Sequence, residues 1–342
     1  MKLLFFILRR LALSLVVIIG LSILIFVIAR IVPGDPARMA LGANAPQEVV
    51  DRLRVRMNLD KPIYTQYVLW LGGVLQGDFG DSLYTKRPVA EDIAEFLPAT
   101  VELVIFAGII MAFGGILLGT LSAKYNNTWV DTIIRLFSYI GVVTPAFVFA
   151  ILFMLLFGYL WPILPIMGRL SAGVVEPARM TGLVIVDGVL QGNLTASFDA
   201  IKHMILPALA LALGGLSQEA RITRASMADN MNKDFVLAHR AYGIPSGRIL
   251  WRYVMKPSLI PTVSVLGLDF AVLFGNAFLV EMVFNWPGLS RYGINVMMQK
   301  DLNAISAVIL VLGLIFVLTN IVTDLIVSFL DPRIRLSAAK GE

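Results

Sequence analysis

Apolar residues in this chain fall into long blocks separated by shorter polar intervals. The first block runs from Leu11 to Ile31, and its ~20 residues match the ~30 Å hydrocarbon core of a bilayer. Lys2, Arg9 and Arg10 precede it. A cleaved signal sequence is shorter and ends in small residues, whereas this block ends in Arg30 and Val32-Pro33-Gly34-Asp35-Pro36, so it reads as a retained first span. Further blocks predict spans over Thr100–Leu121, over Ile134–Leu160, from Ile205 through Leu216 onward, over Leu259–Val280 and over Ala304–Leu330. Gly108, Gly114, Gly115 and Gly119 suit the second span to close packing against a neighbour. Pro145 predicts a kink in the third.

The polar intervals differ in character. Pro33–Pro98 is soluble-like, with helices expected over Gln47–Asn58 and Val89–Phe96 and a turn at Gly77–Ser82. Tyr64–Leu75 is rich in aromatics and suits the membrane surface. Lys124–Asp131 reads as a short polar loop and Trp161–Lys202 as irregular. The interval Asn232–Pro261 is polar and basic, yet it lies between two spans. Asp234 is placed to cap a short helix there, and Gly243 followed by Pro245 to end it. That helix is only about 12–14 Å long, too short to cross anything. A capped, cation-rich helix in this setting suits a docking lever.

Composition agrees with the blocks. Hydrophobic residues make up 58% of the 342 positions, charged residues 15%, and the mean hydropathy is +0.82. Soluble domains hold about 45–50% apolar and about 25% charged residues, so this is an integral membrane protein. The net charge of +5 raises the question of nucleic acid, but its distribution points to topology instead. Six spans leave both termini on one side, and 15 of the 28 Lys and Arg lie on that side in roughly half the loop length. The termini and Arg221–Lys256 are therefore expected on the cytoplasmic face.

Several chemistries are excluded. With no cysteine there is no disulfide and no thiolate-held metal. No Gly-x-x-x-x-Gly-Lys-Ser/Thr occurs, so no P-loop ATP hydrolysis is expected. His203 and His239 are predicted on opposite sides of the membrane, and neither an H-E-x-x-H nor a Gly-x-Ser-x-Gly motif is present. Asp269 lies ~11 residues into the fifth span, about 16 Å deep. A carboxylate at that depth needs water or a partner, so Asp269 is either a pathway group able to meet an ammonium or an interhelical hydrogen-bonding group. Asp324, one turn after Asn320, favours a structural bond. Glu102 and Arg30 sit at span ends, from which they can snorkel, and are assigned no role. Glu281–Arg291, outside the membrane, is a candidate outer gate or partner contact through Glu281, Trp286, Pro287 and Arg291.

Ala238-His239-Arg240-Ala241-Tyr242-Gly243, with Pro261 eighteen residues beyond the glycine, resembles the "EAA" loop of ABC-importer permeases. More narrowly it resembles the peptide/nickel branch. Asp234-Phe235-Val236 opens the motif and Met255-Lys256-Pro257-Ser258-Leu259-Ile260-Pro261 closes it. Arg9-Arg10, Pro33-Gly34-Asp35-Pro36, Asn58-Leu59-Asp60-Lys61-Pro62 and Gly77-Asp78-Phe79-Gly80 agree. So do Leu97-Pro98-Ala99-Thr100, His203-Met204-Ile205-Leu206-Pro207, Glu281–Arg291 and Asp331-Pro332-Arg333-Ile334, in order along nearly the whole chain. Ala238, His239 and Tyr242 replace the branch's usual Thr, Ala and Lys, so no side-chain role carries over at those three.

The resemblance implies an all-α polytopic membrane protein with six transmembrane helices and the type I ABC importer (MetI-like) permease fold. Residues 1–31 would hold the amino terminus and first span, 32–98 an extracytoplasmic helical loop, and 99–342 the permease core with a coupling loop at 218–256. It further implies a bacterial inner-membrane location and four kinds of surrounding: the lipid bilayer, a second homologous permease subunit, two ABC ATPase subunits and an extracytoplasmic solute-binding protein. ATP and Mg would belong to the ATPase subunits, with no cofactor or metal in this chain and no nucleic-acid partner. The coupling loop would use Asp234, Ala238, His239, Arg240, Ala241, Gly243, Pro245 and Arg248, with Arg240 and Arg248 suited to carboxylates. Di- or oligopeptides are the expected cargo, and Met167-Gly168-Arg169 with Thr181-Gly182 leans toward the dipeptide and glutathione members. The rival reading is an ion-coupled carrier acting alone, but that design favours inverted repeats and several midplane charges. A membrane hydrolase lacks a nucleophile–base constellation.

Overall fold

The computed structural model describes residues 2–31, 36–42 and 44–330. Pro33-Gly34-Asp35, the tail from Asp331 and the Arg30 side chain lie outside what is described. The elements are helical. In chain order they are α1 Lys2–Ile31, α2 Pro36–Leu41, α3 Gln47–Arg56, α4 Ile63–Leu75, α5 Val89–Lys124, α6 Trp129–Val143 and α7 Ala146–Met154. There follow α8 Val184–Leu190, α9 Leu194–Met231, α10 Asp234–Ala241, α11 Ser246–Arg248, α12 Met255–Val283, α13 Leu289–Met298 and α14 Leu302–Leu330. Wider π turns extend α7 over Leu155–Leu160 and join α11 to α12 over Ile249–Val254.

Among the described residues, five helices are long and apolar enough to cross a bilayer: α1, α5, α9, the continuous Ser246–Val283 rod, and α14. Taken together, the pair α6 and α7 makes up the length of a sixth span, and here the expected kink is a full break of 108°. Pro145 disfavours the helical region for the residue before it, and Thr144 is extended at ψ 122°. Pro145 then occupies the cap position of α7.

Two further expectations change. Val89–Phe96 and Thr100–Leu121 are one helix, α5, with Pro98 in its interior and the 98/99 boundary inside it. Proline has no N–H for the carbonyl four residues back. The Arg179 guanidinium donates to that freed Ala94 carbonyl instead. Trp161–Lys202 is not irregular throughout, since it contains α8 and the start of α9, where the Asn193 side chain accepts from the Ala196 N–H at 3.2 Å.

The core is built around α9, whose 38 residues span about 57 Å. Half of them are buried, and α5, α6, α7, α8 and α12 all pack on it. The α5 glycines allow this. A Cβ on Gly119 would lie 2.6 Å from the Ala220 carbonyl oxygen, so only glycine lets the two backbones come this near. α9 and α12 run antiparallel, joined by Thr223–Thr262 (3.0 Å) and Asn230–Ser258 (2.9 Å). α4 buries no residue and leaves Tyr64, Val68 and Leu75 open, as a helix on a membrane surface should. It is held to α1 by the Phe26, Tyr67 and Trp70 rings and by a Ser22–Tyr67 hydroxyl bond of 2.8 Å.

Candidate functional site

At one end of the bundle α10 projects between α9 and α11. Its stop is a two-bond motif: the Ile244 N–H donates to the His239 carbonyl (3.1 Å) and the Gly243 N–H to Arg240 (2.9 Å). Gly243 supplies the left-handed φ of +72° that this closure requires. Asp234 does not cap the helix. Lys233 holds the cap position, with no side-chain bond, and Asp234 is the first helical residue, where its charge suits the helix dipole. Val236, 1% exposed, seats α10 on Ala123, Met227, Ile249, Leu250 and Val254.

The remaining loop residues divide by face. Ala238, Arg240, Ala241, Gly243, Pro245 and Arg248 are exposed, along with Leu237 and Tyr242, the latter at 85%. His239 turns inward, its ring 4.1 Å from that of Tyr253. The free surface is thus a short apolar ridge flanked by two guanidinium groups.

Near the middle of the bundle a cavity of about 530 Å³ lies between α9, α12 and the α6–α7 break. Asp269, Gln218, Asn276 and Thr144 are its polar wall groups. The sequence reading found Asp269 but missed a second acid. Glu219 is fully buried, with neither carboxylate oxygen hydrogen-bonded, and it lies within electrostatic reach of Asp269. Also missed were Asp131 and Arg224. Buried Asp131 accepts from Arg224 (2.7 and 2.9 Å), from the Asn127 N–H (3.1 Å) and from Ser122 Oγ, tying the α5–α6 turn to α9.

At the far end, Glu281 and Trp286 are fully buried and so offer a soluble partner no surface here; Pro287 and Arg291 are partly open. Glu281 accepts from Thr100 Oγ1 (2.6 Å) and from the Arg291 N–H (2.8 Å), while Trp286 Nε1 donates to the Ala99 carbonyl (3.0 Å). Gly288 is necessary, because a Cβ there would overlap the Glu281 carboxylate. Glu102 does not snorkel: it is 7% exposed, paired with Arg169, and accepts the Ile185 N–H (2.8 Å). The Arg169 guanidinium lies 5.7 Å over the Trp286 ring. Asp324 makes the structural bond expected of it, to Arg10 at 2.7 Å.

A bundle of membrane-length helices with a cavity holding a few polar groups at mid-depth and an exposed short helix at one end is the architecture of a membrane permease subunit. Residues 115–336 match the family described as binding-protein-dependent transport system inner membrane component, and residues 3–104 match the amino-terminal component of the same systems. The chain belongs to this family of multi-pass inner-membrane proteins. It is 37% identical to the probable D,D-dipeptide transport system permease protein DdpB of Escherichia coli K12, over 93% of this chain and 94% of that one. It is 36% identical to the dipeptide transport system permease protein DppB of Alkalihalophilus pseudofirmus, over 96% and 98%. The glutathione transport system permease protein GsiC of Salmonella choleraesuis is 32% identical over the same shares. The type I importer permease fold and the role of permease subunit in an ABC importer stand on these matches.

Proposed function

We propose that this chain forms half of the translocation path for small peptides and converts ATPase closure into movement of its helices through α10. The observation that carries the reading is α10 itself: a two-turn helix, closed at its C-terminal end, seated by one buried valine and presenting an apolar ridge between Arg240 and Arg248. That shape suits a cleft with a carboxylate rim on each ATPase subunit. The α10 end and both termini then face the cytoplasm, in line with the excess of Lys and Arg there. A second homologous permease would complete the cavity, two ATPase subunits would hydrolyse the nucleotide, and a soluble binding protein would deliver cargo on the side where Pro287 and Arg291 are partly open. Peptide cargo is supported by relatives named for D,D-dipeptides, dipeptides and glutathione.

Reconstitution tests this. Liposomes holding the full set of subunits should accumulate alanyl-alanine only with ATP and binding protein. Val236→Asp, which unseats α10, should abolish stimulation of ATP hydrolysis while the permease pair still assembles. Uptake by the lone chain driven by an ion gradient would overturn the reading.

A further inference from the structure

Asp269 in the cavity wall and Glu219 beside it have no ion-pair partner among the described residues. Leu211, Gly215 and Gln218 line the cavity at three- and four-residue spacing along α9, and Glu219 follows Gly215 by four residues. Glu219 therefore stands one turn beyond Gly215, at the end of the cavity nearest α10. Asp269 stands level with Gly215, where a Cβ would lie 3.9 Å from its own. Asp269 Oδ2 and both Glu219 oxygens are buried without a hydrogen-bond partner. The opposing helix offers them nothing, because the residue facing Glu219 is Gly115, where a Cβ would sit 2.4 Å from that of Glu219. Unpaired carboxylates at this depth are expensive, and membrane proteins retain them where a mobile charge completes the site.

We infer that Glu219 and Asp269 together form an ammonium-binding station at the inner end of the cavity, which takes the α-amino group of the cargo as it passes. This rests on the peptide reading above and adds to it a specific chemical requirement: a cargo without a charged amine loses the station. The apolar walls from Val142 to Phe147 and along α12 leave the rest of the molecule loosely held, which suits a path that must release what it binds. Gln218 and Asn276, on the same walls, are neutral and can accept or donate to a peptide bond without adding charge.

The experiment uses the complete importer in nanodiscs, without binding protein, treated with dicyclohexylcarbodiimide, which modifies carboxyl groups in apolar surroundings. Peptide mass spectrometry reads the rate at Glu219 and Asp269. Alanyl-alanine should slow labelling of both, and N-acetyl-alanyl-alanine should not. Glu219→Gln and Asp269→Asn should still co-purify with the second permease and both ATPase subunits, and are then compared with the parent in proteoliposomes. Their alanyl-alanine uptake should fall at least about thirtyfold, the lower range for losing one partner of a buried charge pair, with partial return in Glu219→Asp. Equal protection by both peptides, or uptake within about twofold of the parent in both variants, overturns the station. Failure of the parent transporter to take up any peptide counts instead against the peptide reading. In that case protection by methylammonium, but not by methanol, still decides whether the pair binds an amine.

Discussion

Arg224 and Asp131 provide the sharpest test of how the lever end is held together. Arg224→Ala removes both guanidinium bonds to Asp131 and the 3.0 Å bond to Asn126, leaving the fully buried carboxylate with Ser122, the Asn127 N–H and Arg135 at 3.7 Å. Stripping a buried charge of its partner costs about 3–5 kcal/mol. Arg135 remains near and Arg224 is 23% exposed, so the lower end applies, about 3 kcal/mol. Asp131→Ala leaves Arg224 free to reach water and Asn126, so about 2 kcal/mol is expected. The double variant should lose about 3 kcal/mol rather than the sum, a coupling of about 2 kcal/mol. Thermal unfolding in detergent reads this as a fall of order 5–10 °C for Arg224→Ala and little further fall for the double. Additivity within about 0.5 kcal/mol would mean that the two side chains do not act as one unit.

Glycine substitutions should split by position. Gly119→Ala places a methyl 2.5 Å from Thr223 Cβ and 2.6 Å from a backbone oxygen, and should destabilise by about 1–3 kcal/mol. Gly72→Ala meets nothing within 4 Å on α4 and should stabilise by about 0.5–1 kcal/mol, so a shift in Tm of the same sign for both would refute the packing account. At the far end, burial works to raise the Asp187 carboxyl, but Thr181 Oγ1 and the N–H groups of Thr181, Met180 and Gly182 outweigh it and hold its pKa below the ordinary carboxylate value. Its stabilisation is therefore complete above the unfolded-state pKa and is lost only as pH falls through the lower folded value. Hydrogen exchange at Met180, Thr181 and Gly182 should stay slow at mildly acidic pH and quicken below the usual carboxylate range; quickening already near neutrality would contradict this. Finally, paired cysteines at Thr223→Cys and Thr262→Cys, once oxidised, should leave transport intact. Linking Thr144→Cys to Gln218→Cys, on two walls of the cavity, with a bifunctional maleimide should stop it.

The spans were legible because a bilayer demands a fixed length of apolar residues, and Leu11–Ile31 or Ala304–Leu330 can do little else. The end of the fourth span was harder. Residues 217–231 carry Glu219, Arg221, Arg224 and Asp229, and by composition they read as an inner loop. Yet Leu213, Leu216, Ala220, Thr223, Met227 and Asn230 recur at three- and four-residue spacing and are buried, so periodicity held the signal that hydropathy hid. Glu219 was overlooked for the same reason, since a charge assigned to a loop needs no partner. Pro145 was recognised, but the difference between a kink and a 108° break depends on what neighbouring helices provide to Thr144 and Val143. The burial of Glu281 and Trp286 depends on Thr100 and Ala99, almost two hundred residues away, and no local pattern predicts that meeting.

These features converge on α9. It carries α10 through only Asn232 and Lys233, is bonded to the α5–α6 turn by Arg224, and presents Gln218 to the cavity with buried Glu219 next in the chain. Nothing along its 38 residues breaks it, although Pro207 lies inside. Under the proposed coupling, a push on α10 would therefore be passed along α9 rather than absorbed within it. It would also be shared with α12, because two buried polar bonds and a shared core join the two helices. The joint at Thr144-Pro145, where the ladder of helical hydrogen bonds is interrupted, would then be the compliant point. That joint is a wall of the same cavity that holds Asp269, so on this proposal movement of α10 would change the space around Asp269 without a relay of side chains between them.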